Sequence, residues 1–480
     1  MLFEGSQLDM MWGIELNKHG GIPLARQIYA ALRDRMMAGV LRPGDTLPST
    51  RELSQALSVS RNTACEAYAM LADEGFLETR QGAATRVAAG LALEPTASAH
   101  SSKQPIPGNP PVLADFSTGQ PDLSQLPVLQ FRQMLRDSVE SLPRQEWGYS
   151  SPAGLPALRQ EIAQWLRRGR GVAVEPEEIF ITAGATQALH LLACLPALSG
   201  GVVAEDPSHL GMVEAWRAMS HRIIPVPADE RGLIVDRLED ALTDDVSVIY
   251  ATPSHQFPLG GVLPAARRAE LVRIARRQNL FVVEDDYDSE FRYAGAPIAP
   301  LCAMDRERVA YVGTFSKTLF PALRVGYVVL PAALREQWRE ERRHVDVQSP
   351  PFEQAALAEL LRSRKFDRHV QRMRKLYGAR REALMKAMRV AFGGMCQPLG
   401  DGAGLHVAVR FPGIRFNEEF VAKAREAGIR VATVEQYAIE KGRHLDELVL
   451  GYGHLEERAI AEGVDLLSSF IASYESKTTG

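Results

Sequence analysis

Six short apolar runs decide the fold class of this chain: Glu178 to Thr182, Val202 to Glu205, Ser247 to Ala251, Leu280 to Glu284, Val309 to Gly313 and Val325 to Leu330. None alternates apolar with polar residues, which is the pattern of strands covered on both faces. Helical runs such as Thr186 to Leu195 and Ala265 to Gln278 lie between them. Strand alternating with helix predicts an α/β body built on a mostly parallel central sheet. From about Pro350 the chain turns helical and charged, then offers Gly404 to Phe411 and Glu447 to Gly451 as further strands. These predict a smaller C-terminal subdomain.

The first ninety residues follow a different pattern. Leu24, Ile28, Leu32 and Met36 recur every four residues after Pro23, giving one apolar helical stripe that Gly39 can close. Ser49 and Glu52 form a Ser-x-x-Glu capping box at the start of a second helix. Ser60 caps a third, whose Ala64, Ala67, Tyr68 and Leu71 share a face and which ends at Gly75. Phe76 to Arg80 and Thr85 to Ala88 read as two extended segments about a glycine turn. Three helices and a hairpin predict a winged helix-turn-helix. A stretch rich in Ala, Ser and Pro from about Gly90 reads as a linker. The expected division is therefore 15–89 for the winged head, 90–112 for the linker and 113–480 for the body.

With 46% hydrophobic and 24% charged residues, the 480-residue chain has the composition of a soluble globular protein. A formal net charge of -4 excludes a broadly basic coat, so any DNA contact must come from a local arrangement. The four cysteines, Cys65, Cys194, Cys302 and Cys396, have no metal-ligand spacing, and no metal site is expected. Their scarcity, the lack of a signal-like N-terminus and the lack of an apolar run of roughly 18 residues predict a cytoplasmic location.

Lys317 follows an apolar strand in Val312-Gly313-Thr314-Phe315-Ser316-Lys317, and Arg324 lies seven residues on. An amine at a strand end, beside two hydroxyls and a guanidinium, suits Schiff-base chemistry with an aldehyde whose phosphate the neighbours hold. That description fits pyridoxal 5'-phosphate. An isolated Ser-Lys pair after a strand is ordinarily a surface feature, but the rest of the chain reverses the odds. Strand Leu280 to Glu284 delivers Asp285, Asp286 and Tyr287 at its C-terminal end, where open α/β sheets build their sites. A carboxylate there keeps a pyridine nitrogen protonated. Ile181 to Gln187 turns from strand into helix and points free amides at an anion. In the head, the third helix opens Ser60-Arg61-Asn62-Thr63, equipment for phosphates and base edges when a helix N-terminus enters a major groove.

The stretch from Pro23 to Val87 resembles the DNA-binding domain of GntR-type bacterial transcription regulators almost throughout. The resemblance implies DNA contacts from Arg51, Arg61, Asn62, Thr63, Gln81 and Gly82. Cys65 stands where relatives can place a further arginine. The body from roughly Phe116 resembles fold-type I aminotransferases, and "TPSHQFPLG", "EDDYDSEFRY" and "TFSKTLFPALRVGY" look like the MocR branch of GntR-type regulators. By that resemblance Lys317 forms the internal aldimine, Asp285 pairs the pyridinium and Tyr287 reaches the ring oxygen. Arg324, Ser316, Thr314 and the amides near Ala185 and Thr186 hold phosphate. His209 falls where relatives often stack a tyrosine on the ring. Tyr149 matches a tyrosine that reaches the neighbouring subunit's phosphate, which implies a head-to-tail homodimer with shared sites.

Two departures bear on function. The aminotransferase asparagine before proline is replaced by Phe257, leaving His255 or Gln256 to substitute for its contact. Val449 sits where many aminotransferases place the arginine that clamps a substrate carboxylate. The resulting expectation is a regulator that binds operator DNA and senses a small amine, an amino acid or pyridoxal 5'-phosphate itself, with at most partial transaminase chemistry. The alternative is an active aminotransferase carrying an appended DNA-binding head.

Overall fold

The computed structural model describes residues 14, 16–18, 20–79, 84–89, 111–293, 295–400 and 402–478. It divides into two compact units, Met1–Pro107 and Gly108–Gly480. The expected linker, 90–112, lies outside the described residues except for Pro111 and Val112. No described helix is long and apolar enough to cross a membrane.

In the first unit, α1 (Leu24–Met37), α2 (Thr50–Ala56) and α3 (Arg61–Asp73) are followed by the antiparallel pair β1 (Leu77–Glu78) and β2 (Arg86–Val87). The four-residue stripe of α1 buries Ile28, Leu32 and Met36 against Leu53 of α2 and Ala64, Ala67 and Leu71 of α3. Each fully buried aliphatic side chain contributes roughly 1.5–3 kcal/mol, which three short helices need because none is long enough to stand alone. Ser49 and Glu52 make the reciprocal capping box, and Ser60 accepts from the Thr63 amide at 3.1 Å. Tyr68 donates to the Pro48 carbonyl at 2.8 Å, tying α3 to the turn before α2.

The second unit opens with β3 (Ala114–Asp115), then α4 (Val128–Ser141) and α5 (Pro156–Arg170). An eight-stranded sheet follows, formed by β4 (Ile179–Thr182), β5 (Gly201–Asp206), β6 (Ile223–Asp229), β7 (Gly232–Leu233), β8 (Val246–Ala251), β9 (Phe281–Asp286), β10 (Val309–Thr314) and β11 (Gly326–Val329). Its strand order is β4-β11-β10-β9-β8-β5-β6-β7, with β11 and β7 antiparallel to their neighbours. All six expected strands are present. Successive residues send side chains to opposite faces, and both faces are covered. On β5, Val202 and Ala204 join one apolar cluster while Val203 joins another.

The expectation omitted β6, whose Pro225 and Pro227 argue against a strand. The sheet accommodates them because residues two apart present their backbone nitrogens to the same edge. Pro227 turns its carbonyl toward the chain after β7, and β7 pairs with β6 only at Ala228 and Asp229. The missing N–H groups therefore interrupt no ladder.

The smaller subdomain carries an antiparallel sheet of β12 (Gln397–Leu399), β13 (His406–Arg410), β15 (Ala432–Thr433) and β16 (Glu447–Gly451). A parallel pair, β14 (Ile429–Arg430) with β3, ties it to the start of the unit. The long helix Lys365–Phe392 links the cores: Phe366 and Val370 pack into the main-sheet core, and Met373, Tyr377, Leu384 and Met388 into that of the subdomain.

Candidate functional site

The C-terminal ends of β4, β9 and β10 converge on a cavity of about 300 Å³. Lys317, Asp285, Tyr287, Arg324, Ser316, Thr314, Ala185, Thr186 and His209 all line it. Nine residues named from separate stretches of sequence thus meet in one place. Tyr149 does not join them; it stands at the surface, 92% exposed.

Each side chain is placed by the end of an element. At the end of β10, Thr314 and the following Ser316 share a hydroxyl contact of 3.1 Å. The Lys317 amine donates to the Gly119 carbonyl at 2.8 Å. Gly119 has φ +70, and a β-carbon there would come within 2.8 Å of that amine, so glycine gives Lys317 its room. Burial lowers the Lys317 pKa and Arg324 adds to the effect, against Asp288 and Asp285. A lowered ammonium pKa raises the share of neutral, nucleophilic amine.

Asp285 is the penultimate residue of the apolar strand β9 and is buried. Burial pushes its carboxyl up to about 6, although Tyr250 donates to Oδ2 at 2.8 Å. Its Oδ1 is buried with no hydrogen-bond partner. An unsatisfied buried carboxylate oxygen is costly, and a cationic N–H facing it would satisfy it. The donor set therefore fits the pyridinium of pyridoxal 5'-phosphate.

Arg324 sits in the left-handed region at φ +49 and donates to the Ala183 carbonyl at 2.7 Å. It lies against Gly184, where φ is +88 and a β-carbon would meet the guanidinium at 3.1 Å. Gly184 also opens the helix Ala185–Cys194, whose first amides face the same end of the cavity as Arg324. A guanidinium beside free helix amides makes an anion cup.

His209 caps the helix Leu210–Ala218, its Nδ1 accepting from the Met212 amide at 3.2 Å. Burial, then the charge of Lys317, lower its pKa, leaving a neutral flat ring at the cavity wall. The Tyr287 hydroxyl lies 3.0 Å from His255 Nδ1, which also faces Asp288 at 2.9 Å. Burial raises the Tyr287 pKa well above its usual value.

The two departures acquire positions. Phe257 lines the cavity, whereas Gln256 turns away to donate to the Pro207 carbonyl at 2.8 Å. Val449 is wholly buried in a small cluster with Ala408, Val434 and Leu259 and does not line the cavity. Sequence reading missed Tyr250, Tyr437 and His406. His406 begins β13, and burial with the nearby His255 hold its pKa well below 6.5. Two residues before it, Gly404 packs so closely on His255 that a β-carbon there would fall 1.9 Å from the ring.

In the head, Arg51, Arg61 and Asn62 are exposed and Thr63 is half-buried, its hydroxyl 2.7 Å from Ser60 Oγ. Arg61 and Asn62 occupy the first turn of α3, where an entering helix presents side chains to base edges. Gln81 and Gly82, and the neighbouring Arg80, lie outside the described residues.

Residues 24–87 match the family of bacterial regulatory proteins called gntR, and residues 111–443 match the aminotransferase class I and II family. The chain is 30% identical over 478 residues to the probable rhizopine catabolism regulatory protein MocR of Rhizobium meliloti, covering 96% of each chain. It is 33% identical to the pyridoxine biosynthesis transcriptional regulator PdxR of Corynebacterium glutamicum, covering 92% of this chain and 95% of the relative. Among solved structures it resembles the α-aminoadipate aminotransferase LysN of Thermus thermophilus, complexed with N-(5'-phosphopyridoxyl)-L-leucine. That match has 28% identity and a TM-score of 0.69 over 76% of this chain and 93% of the other. Class I and II aminotransferases in general depend on pyridoxal 5'-phosphate. A gntR head and an aminotransferase body, matched together along nearly the whole length of MocR and PdxR, make the chain a member of the MocR-like branch of GntR-type DNA-binding transcription regulators.

Proposed function

We propose that this regulator senses a small amine, an amino acid or pyridoxal 5'-phosphate itself through a covalent attachment at Lys317. Bound pyridoxal 5'-phosphate supplies an aldehyde that takes up amines reversibly and a ring that withdraws electrons. In this reading Asp285 Oδ1 accepts from the ring nitrogen, and Tyr287 donates to the ring oxygen. The His209 ring covers one face. Arg324, Ser316, Thr314 and the amides near Ala185 and Thr186 hold the phosphate. Tyr149 serves the neighbouring subunit of a head-to-tail homodimer. The DNA contacts fall to Arg51, Arg61, Asn62, Thr63, Gln81 and Gly82 within residues 15–89, joined through 90–112 to a sensing body of 113–480 in a cytoplasmic protein.

One observation carries the sensory reading over the catalytic one: Val449, the position that the resemblance gives to a carboxylate clamp, is spent in an apolar core outside the cavity that Asp285 and Lys317 line. Exchanging one amine for another at the aldehyde needs only Lys317 and access. Moving a proton from the amine's α-carbon also needs the bond fixed perpendicular to the ring, and weak positioning costs orders of magnitude in rate. The test is spectroscopic. Purified protein should absorb in the near-visible, and Lys317→Ala should lose that band while still retaining noncovalent cofactor. An unchanged band in the variant would remove Lys317 from the assignment.

A further inference from the structure

A second cavity, of about 290 Å³, lies between the end of α5, the loop after β9 and the first turns of the helix Lys365–Phe392. Five arginines line it against two acidic residues, Glu290 and Asp367. None of these residues lines the cofactor cavity.

The charges do not cancel locally. Asp367 is shared, with Arg364 at 3.3 Å and Arg168 at 3.8 Å. Arg170 is paired outside the cavity lining, donating to Asp286 at 2.6 Å. Among the described residues, Arg374 is held only by the Glu290 backbone carbonyl, at 2.8 Å, and neither Arg374 nor Arg292 pairs with a carboxylate. Burial, and then the charge of Arg170, disfavour the Arg292 cation. Burial also raises the Glu290 pKa, which weakens one of the two carboxylates that line the cavity.

Two donors stand out. The Arg170 side chain is 4% exposed, and its Nε is buried without a hydrogen-bond partner. Arg292 Nε is in the same condition. Unsatisfied guanidinium donors beside like charge are expensive to keep, and a planar guanidinium fork matches tetrahedral oxyanions. We propose that this cavity is a second anion site, taking a phosphate group either as the free ion or as a monoester of a small metabolite. A ligand there would join the loop of the main-sheet domain to the helix that also enters the subdomain core, so its binding energy falls on the joint between them.

The test uses the full-length, cofactor-loaded protein, in which the Arg324 anion cup is already filled. Inorganic phosphate is titrated by calorimetry in a phosphate- and sulfate-free buffer, with chloride matching the ionic strength. Binding should appear in the wild type, be absent for chloride alone and raise the unfolding temperature. Arg292→Gln and Arg374→Gln should each weaken it by about tenfold or more, the loss expected for one charge-assisted hydrogen bond, with the cofactor absorbance unchanged. If Arg292→Gln fails to fold, Arg374→Gln and Arg292→Lys carry the test. A glycerol phosphate arm separates the sources: tighter binding than phosphate assigns a monoester, and equal binding assigns the free ion. No binding by the wild type, equal effects from chloride, or unchanged affinity in both variants would overturn the proposal.

Discussion

Asp285 shows what burial in the fold does to a carboxyl at the cavity wall. Its pKa, raised from 3.8 to about 6 by burial, means that the folded cofactor-free protein retains a proton between those values that the unfolded chain has lost. Its contribution to stability is therefore present at low pH and lost as pH rises through about 6. A ring N–H facing Oδ1 needs the ionised form, so cofactor affinity should strengthen as pH rises through the same range. The cofactor's phosphate titrates nearby as well. The comparison with Asp285→Asn isolates the carboxyl: the variant should bind more weakly at pH 7, and its affinity should vary less between pH 5 and 7, measured by absorbance titration. Equal pH profiles for both proteins would remove Asp285 from this role. Lys317, Asp285 and Arg324 were legible because each sits at a fixed offset from an apolar strand. Tyr250 and His406 were not, since a tyrosine inside a core strand and a histidine beginning another look like ordinary buried residues until the fold brings them to the cavity.

At the scale of elements, α3 combines a structural cap with the proposed reading edge. Ser60→Ala removes the acceptor for the Thr63 amide and should destabilise the helix by about 1 kcal/mol, visible as faster hydrogen exchange of α3 amides in the full chain. Arg61→Ala leaves that cap intact. It should weaken specific DNA binding by about 1–3 kcal/mol and relax one base preference, read by mobility shift. The same operator affinity with the same base preferences would exclude Arg61 from readout. Capping signals and unalternating apolar runs were readable because both encode backbone geometry locally. Strand β6 escaped because its prolines are tolerated only by virtue of the neighbour at that edge, a fact of topology rather than of local sequence.

At the scale of the whole molecule, the proposed function couples a DNA reader to a sensor. If Tyr149 completes the site of a neighbouring subunit, Tyr149→Ala should lower cofactor retention, measured by dialysis and absorbance, although the residue lies outside its own chain's cavity. If two heads share one dimer, the selected DNA site should carry a repeated half-site. The chain should also exchange amines at the cofactor without sustained turnover. With an amino acid and a keto acid present, product should form far more slowly than the roughly 1 per second and above typical of enzymes.

The most direct measurement of the central claim is the affinity of the full-length protein for its selected DNA site, by fluorescence anisotropy, with and without bound pyridoxal 5'-phosphate. Occupancy is verified by absorbance, and Lys317→Ala is carried in parallel. If the state of the cavity is what the heads report, wild-type affinity should differ between the two forms by about fivefold or more, the usual lower range of coupling between sites. Added amine should shift the wild type further, whereas Lys317→Ala, lacking the covalent attachment, should not reproduce the wild-type difference between loaded and cofactor-free forms. Identical DNA affinity for the loaded and cofactor-free wild type, with and without amine, would contradict the account.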